Sequence, residues 1–247
     1  MKILVLNPNT SRGITDKISE IARCAAAPGT DLDFTTAENG VPYIATRTEA
    51  LIAGREALEI LARRAHEYDA AVLAAFGDPG LGAIREIIPI PVVGLAEASF
   101  LMAAPLGRRM SIVTFSVNLE AWYRECVEWH LMDHRLASIR TPDAPFGDVG
   151  SVRSEFSDCL VDLAERAVRE DGADVIITAG APLAGLASQV REQVSVPLVE
   201  GVAAAVKIAE ALVALHPRPP QVGTFARPVG KPSIGLPPAL ANLLAAR

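Results

Sequence analysis

Four segments that follow apolar runs contain the residues best suited to chemistry. They are Asn7–Ser11, Phe76–Gly80, Phe115–Asn118 and Ala179–Ala184. Side-chain amides, hydroxyls and glycine N–H groups beside a helix start can hold an anion. The first segment, NPNTS, offers Asn9 and Thr10 to such a cradle; an ordinary turn with a helix N-cap is the alternative.

The other three segments differ in what they offer. In FGDPG, Gly77 allows backbone N–H groups to face a ligand, and Asp78 is a candidate general base. Asp78 could equally cap a helix that begins near Pro79. AGAPLA offers only the backbone at Gly180–Ala181. The segment Phe115–Asn118 offers Ser116 and Asn118, with Thr114 just before it, and the hydroxyls either bind a ligand or satisfy nearby backbone groups.

Histidine and cysteine predict no further site. The histidines lie outside the four segments, so we expect neither a His-based triad nor a metal site. The cysteines are widely spaced, fit no metal or disulfide pattern, and are predicted to be small buried residues of helices: Cys24, Cys126 and Cys159. The nucleotide-binding patterns GxGxxG and GxxxxGK[ST] are absent.

Composition limits the partners. The 247 residues are 50% apolar and 21% charged, enough for a large core and an ordinary polar surface. A net charge of −6, without a basic run of five or more residues, argues against nucleic acid and anionic membranes. The apolar run before Asn7 is too short for a signal peptide or a membrane helix, so a cytoplasmic location is expected.

Apolar strands alternate with amphipathic helices, which predicts an α/β fold with parallel sheets covered on both faces. The predicted strands are Lys2–Leu6, Asp31–Ala37, Asp69–Ala75, Pro91–Leu95, Met110–Thr114, Leu136–Arg140, Ala173–Thr178 and Pro197–Val199. The longer predicted helices are Thr48–His66, Ala96–Leu106, Asn118–Leu131, Val152–Glu170 and Val202–Leu215. A further helix carries Ile14, Ile18 and Ile21 at helical spacing.

The pattern repeats after about half the chain. A shift of 103 positions aligns seven pairs: Pro42 with Pro145, Arg63 with Arg166, Ala70 with Ala173, Val72 with Val175, Gly77 with Gly180, Pro79 with Pro182, and Gly82 with Gly185. We interpret this as an internal duplication. The expected units are 1–106 with 205–247, and 107–204.

The last segment, His216–Arg247, is rich in proline and glycine. It predicts an extended arm that ends in a short helix near Ala239–Ala245. The arm either packs as a strap on its own chain or contributes to a homo-oligomer contact, and a homo-oligomer is expected.

Five stretches together resemble the aspartate/glutamate/hydantoin racemase superfamily, and most of all its hydantoin and allantoin racemase branch. They are ILVLNPNTS (3–11), AAFGDPGL (74–81), PVVGLAEA (91–98), SIVTF (111–115) and GADVIITAGAPLAGL (172–186). The resemblance implies two pseudo-symmetric α/β halves with the substrate in the cleft between them. It also implies chemistry without a cofactor, in which two thiols exchange a proton next to a carbonyl.

This chain departs from that pattern at both thiol positions, where Ala75 and Gly180 stand. Neither residue can carry a proton, so three hypotheses follow. The chain is an isomerase with another base, Asp78 first; a decarboxylase or lyase whose cradle stabilises an enolate; or an inactive binding protein. The expected pocket wall includes Tyr43, Phe76 and Phe115, which suits a small carboxylate or a cyclic ureide such as a hydantoin.

Overall fold

The computed structural model describes residues 1–142, 152–180, 183 and 185–245, with residues 152–156 described for the backbone only. Two four-stranded sheets are present, and every strand pairing in them is parallel. The strand orders are β2-β1-β3-β4 and β6-β5-β7-β8. The two orders are equivalent, so the predicted α/β fold of two pseudo-symmetric parallel halves is confirmed.

In the first half, strands and helices alternate without exception. The elements are β1 (Lys2–Asn7), α1 (Arg12–Ala25), β2 (Asp31–Thr36), α2 (Arg47–Arg64), β3 (Ala70–Leu73), α3 (Leu81–Ile87), β4 (Val92–Gly94) and α4 (Leu95–Ala103). All four residues of β3 are buried, as expected for a strand covered on both faces. A capping box between Thr46 and Glu49 fixes the start of α2.

The second half repeats the order. Its elements are β5 (Met110–Val113), α5 (Glu120–Trp129), β6 (Leu136–Arg140), α6 (Val152–Asp171), β7 (Val175–Thr178), α7 (Leu186–Val190), β8 (Leu198–Glu200) and α8 (Gly201–Leu215). The predicted helix Asn118–Leu131 begins instead with a 3₁₀ turn at Val117–Leu119, and the α-helix ends at Trp129.

The last helix of each half crosses to the other sheet. Helix α4 contacts β7 and β8 as well as β4, and α8 contacts β3 and β4. The two helices also pack on each other. One continuous apolar core therefore contains residues of both halves, from Ile3 to Ala209. This crossing holds the two strand-end edges at a fixed separation, which a cleft between the halves requires.

The shift of 103 positions pairs structurally equivalent residues at one glycine but not at the next. Gly77 and Gly180 follow equivalent strands with φ of +101° and +110°. The helices that follow start after left-handed glycines, Gly80 and Gly185, with φ of +77° and +80°. Gly185 therefore corresponds to Gly80, and the alignment with Gly82 was wrong by two residues. The second loop contains two extra residues. Pro145 and Pro182 lie outside the described residues.

The structure confirms some of the remaining expectations and contradicts one. The final helix is confirmed as α9 (Pro238–Ala245), which packs on α2 and buries Leu240. Cys126 is buried, but Cys24 is exposed, contrary to prediction. The buried face of α1 includes Ile18 and Ala22, and Cys24 lies about 200° around the helix from Ala22. Among the helices in the described ranges, none has the length and apolarity needed to cross a bilayer.

Candidate functional site

A small cavity lies where strand-end segments of the two halves meet. Its volume is about 20 Å³. The described lining residues are Asn9, Ile14, Tyr43, Ile44, Ala75 and Phe76 from the first half, and Tyr123 and Gly180 from the second. Both positions at which the resemblance places thiols, 75 and 180, therefore border one cavity.

Asn9 is oriented by a network built on β1. The Asn7 side-chain amide donates to Asn9 Oδ1 at 3.0 Å, and the Ser11 N–H donates to the same oxygen at 2.9 Å. Asn7 is itself anchored to Thr15 Oγ1 at 2.9 Å. Because Oδ1 of Asn9 is satisfied within the network, its Nδ2 group remains as a donor for a ligand. The sequence NPNTS thus forms both a turn and a donor.

Tyr43 presents a hydroxyl that has no protein partner. The Tyr43 Oη atom is buried and makes no hydrogen bond to any part of the chain that the structure describes. Burial raises the pKa of Tyr43 well above its ordinary value, and the negative charge of Glu49 raises it further. The hydroxyl therefore stays protonated at neutral pH. An unpartnered buried donor costs free energy, which a ligand oxygen would recover.

Tyr123, on α5, adds a second phenol to the cavity. Burial raises the pKa of Tyr123 well above its ordinary value, and the Tyr43 hydroxyl adds to this, whereas the Thr114 hydroxyl opposes it. The oxygen of Thr114 is fully buried and forms no hydrogen bond of ordinary geometry within the described ranges. The titratable groups among the described lining residues are thus phenols, which donate rather than accept a proton.

The position of the second thiol is closed by packing. A Cβ atom at Gly180 would lie 2.5 Å from Cε1 of Phe115, and the backbone there has φ of +110°. The Phe115 ring also packs against Tyr43, with ring centroids 5.6 Å apart. Residue 180 therefore cannot carry a side chain without displacement of Phe115, and this side of the cavity is apolar.

Asp78 is turned away from this cavity. Its carboxylate accepts the N–H groups of Ala96 and Glu97, each at 2.9 Å, and Nε2 of His130 lies 3.0 Å from Oδ2. Asp78 therefore caps α4. The alternative of a cap on the helix near Pro79 was wrong, because α3 begins at Leu81 with Gly80 as its N-cap residue and has no side-chain cap. The cap on α4 is sterically permitted because Gly94 has no Cβ to meet the carboxylate.

The other predicted site residues are distributed more widely. Gly77 and Asp78 line a separate, larger cavity. Thr10 donates its N–H to Val41 O at 3.0 Å, and Ser116 caps the 3₁₀ turn through the Asn118 N–H at 3.4 Å. Phe115 lies behind Gly180. Ala181 lies outside the described residues.

Sequence reasoning missed three residues. Tyr123 was not expected at the cavity because a tyrosine inside a helix has no motif. His130 was set apart from the candidate loops, yet it contacts Asp78 of FGDPG. Cys126 was interpreted as a core residue only, although it lies four residues before His130, on the same helix face. That spacing was the available signal.

Comparisons with known proteins agree with this geometry. The family model described as Asp/Glu/Hydantoin racemase matches residues 3–209. A hydantoin racemase of Paenarthrobacter aurescens is 33% identical, over 94% of this chain and 99% of its own length. The structure of an allantoin racemase from Klebsiella pneumoniae is 34% identical, covers 97% of this chain and 98% of its own, and superposes with a TM-score of 0.90.

A more distant structure, that of an arylmalonate decarboxylase, shares the fold. It is 16% identical, covers 86% of this chain and 92% of its own, and has a TM-score of 0.63. The family match over most of the chain and the identities above 30% confirm the expected superfamily and the isomerase class. The chain belongs to the Asp/Glu/hydantoin racemase family, a family of isomerases.

Proposed function

We propose that this chain catalyses proton exchange at the carbon next to a carbonyl of a hydantoin-like cyclic ureide, without using cysteine. One observation carries the proposal. The cavity between the halves has the donors Asn9 and Tyr43, while alanine and glycine border it at the two thiol positions. Relatives about a third identical that bear the names hydantoin and allantoin racemase support the substrate class.

The chemistry rests on hydrogen-bond donation. Removal of the proton places negative charge on the carbonyl oxygen, and donors aimed at that oxygen lower the barrier. The Asn9 amide and the Tyr43 hydroxyl supply such donors, and the raised pKa of Tyr43 keeps it in the donating form. Donation from a buried phenol is stronger than in water, because the local dielectric constant is low.

A solvent-derived base accepts the proton in this proposal. The described cavity wall contains no carboxylate, imidazole or thiol, and the Asp78 carboxylate is occupied by α4 and His130. Water therefore has to reach the substrate carbon. A cavity of about 20 Å³ holds roughly one water molecule, so substrate entry requires movement of side chains that line the cavity.

A wall with donors and no base also favours a second candidate, decarboxylation of a small malonate-type acid. In that reaction CO₂ leaves, the same donors stabilise the resulting enolate, and the enolate carbon takes a proton from water, so the protein need not remove a proton. The fold shared with an arylmalonate decarboxylase is compatible with this candidate but does not select it.

The two candidates are separated by substrate panels in D₂O. Proton NMR follows loss of the signal at C5 of 5-substituted hydantoins, chiral chromatography follows inversion, and CO₂ release is measured with malonates. We expect exchange with hydantoins and none with malonates. CO₂ release without C5 exchange would instead establish the second candidate, and neither signal would leave a ligand-binding role.

Two variants test the donors. Tyr43→Phe removes only the hydroxyl and should lower kcat by about 10²–10³, the usual effect of one oxyanion donor. Tyr68→Phe is the matched control, because that hydroxyl contacts Arg64 and Asp33 at another place. Asn9→Ala should weaken ligand binding in calorimetry. Equal activity of Tyr43→Phe and wild type would remove Tyr43 from the mechanism.

A further inference from the structure

A second cavity of about 440 Å³ lies on the other side of the FGDPG loop, between that loop and α5. Asp78, Cys126 and His130 lie together in its wall. One carboxylate oxygen, the Cys126 thiol sulfur and one imidazole nitrogen all lie within 4.8 Å of one another. The volume is sufficient for a small ligand. None of these three side chains has a part in the proposed proton exchange.

The chain fixes all three side chains before any ligand arrives. Cys126 belongs to α5 and His130 is its C-cap residue, so a spacing of four places both on one face. Asp78 has a left-handed backbone, with φ of +48°, and two N–H groups of α4 hold its carboxylate. The His130 ring packs edge-on against Phe100 and Trp129, which limits its rotation.

The donor set matches one class of cation. Thiolate, imidazole and carboxylate together are ligands of Zn²⁺ and similar borderline metals, whereas Mg²⁺ and Ca²⁺ prefer oxygen alone. Tetrahedral zinc with bonds of about 2.0 to 2.3 Å separates its ligand atoms by about 3.3 to 3.8 Å. The observed Nε2–Oδ2 distance is 3.0 Å and the other separations are at most 4.8 Å, so movements of about 1 Å suffice.

We propose that Asp78, Cys126 and His130 form a binding site for a borderline divalent cation, with Zn²⁺ as the preferred ion. The metal takes the place of the contact between Nε2 and Oδ2, and the two backbone bonds to the Asp78 carboxylate remain. The fourth position faces the cavity, where water or a small ligand completes the tetrahedron. The site links the FGDPG loop of the first half to α5 of the second.

Burial raises the pKa of the Cys126 thiol well above its ordinary value, and the charges of Asp78 and Glu97 raise it further. A bound dication reverses this preference, because it stabilises the thiolate, and the thiol proton passes to solvent. Arg85 pairs with Glu97 and so limits the negative charge near the site. Cation binding at this site is therefore coupled to release of the Cys126 proton.

The chain carries its own reporter for this site. Both of its tryptophans, Trp122 and Trp129, line the same cavity. Co²⁺ is a suitable probe, because a thiolate bound to Co²⁺ absorbs in the near ultraviolet and the ion quenches neighbouring tryptophans. The protein is treated with a chelator and titrated with Co²⁺, and Zn²⁺ is then added to displace it. Mg²⁺ serves as the control cation.

Wild type should show the thiolate band, quenched fluorescence and displacement by Zn²⁺, with no response to Mg²⁺. Cys126→Ser should lose the band and bind Zn²⁺ at least roughly tenfold more weakly, since even outer contacts of metal sites have effects of that size. Cys24→Ser, which removes an exposed thiol, should behave as wild type. If Cys126→Ser fails to fold, the Co²⁺ titrations of wild type and Cys24→Ser are compared instead. The presence or absence of the thiolate band in both proteins then decides the test. Absence of that band, or its persistence in folded Cys126→Ser, would overturn the proposal.

Discussion

The role of Asp78 can be tested by one conservative change, Asp78→Asn. The carboxylate accepts the N–H groups of Ala96 and Glu97 and contacts His130. Asparagine keeps one acceptor oxygen but replaces the other with an NH₂ group. One of the two helix N–H groups then loses its acceptor and faces the new NH₂ group. Where the NH₂ group replaces Oδ2, a proton on His130 Nε2 also faces a donor.

The expected cost follows from these contacts. Loss of a helix cap costs about 1 kcal/mol, and a buried donor left unsatisfied costs about 1–3 kcal/mol. Because Asp78 is only 6% exposed, water does not compensate, and we expect the free energy of unfolding to fall by about 2–3 kcal/mol. Glu200→Gln is the matched control: Glu200 caps α8 in the second half through Val202 and Ala203. Among the described residues no histidine contacts Glu200, so Glu200→Gln should lower the free energy of unfolding by about 1 kcal/mol.

Urea unfolding of the three proteins gives the midpoints and slopes, and turnover is measured on the folded proteins at the same temperature. We expect the midpoint of Asp78→Asn to fall at an unchanged slope, with turnover within about tenfold of wild type. A general base would instead cost roughly 10²–10⁴ in rate. A rate loss of that size together with an unchanged midpoint would refute the interpretation of Asp78 as a cap.

Three further predictions concern the cavity between the halves and the cysteines outside it. Gly180→Cys should lower the free energy of unfolding by more than about 1 kcal/mol, because it combines a left-handed backbone with a Cβ 2.5 Å from Phe115; in a double-mutant cycle followed by urea unfolding, Gly180→Cys should cost less in a Phe115→Ala background than in wild type. Native alkylation followed by mass spectrometry should modify exposed Cys24 before buried Cys126, with turnover unchanged. Because the pKa of Tyr43 is raised, its donating form persists above pH 10, so ligand affinity should not decline as pH rises to about 10.

The fold was predictable because its signals are local and repeated. Apolar runs such as residues 70–73 and 175–178 are strands buried on both faces, and they alternate with helices of clear periodicity. The internal duplication then predicted that the two halves have equivalent folds. The exchange of α4 and α8 between the sheets was not predictable, because apolar periodicity identifies a buried face without naming its partner.

The site was predictable in part. The strand-end rule for parallel sheets selected loops that do contribute Asn9, Phe76 and Gly180 to one cavity. The direction of the Asp78 side chain depends on a left-handed φ and on space left by Gly94. Neither feature is visible in a loop sequence. The contact between Asp78 and His130 joins residues 52 positions apart, and no local pattern indicates it.

One loop divides its residues between two cavities, and this division argues against Asp78 as a substitute for the thiols. Ala75 and Phe76 face the cavity with Asn9 and Tyr43, whereas Gly77 and Asp78 face the larger one. To act as a base in the first cavity, Asp78 would have to abandon two backbone hydrogen bonds and expose the α4 terminus. That cost, about 2–3 kcal/mol, favours the carboxylate in its capping position outside the first cavity. In the mechanism we propose, stabilisation of the developing charge in the first cavity therefore comes from its donors, Asn9 and Tyr43.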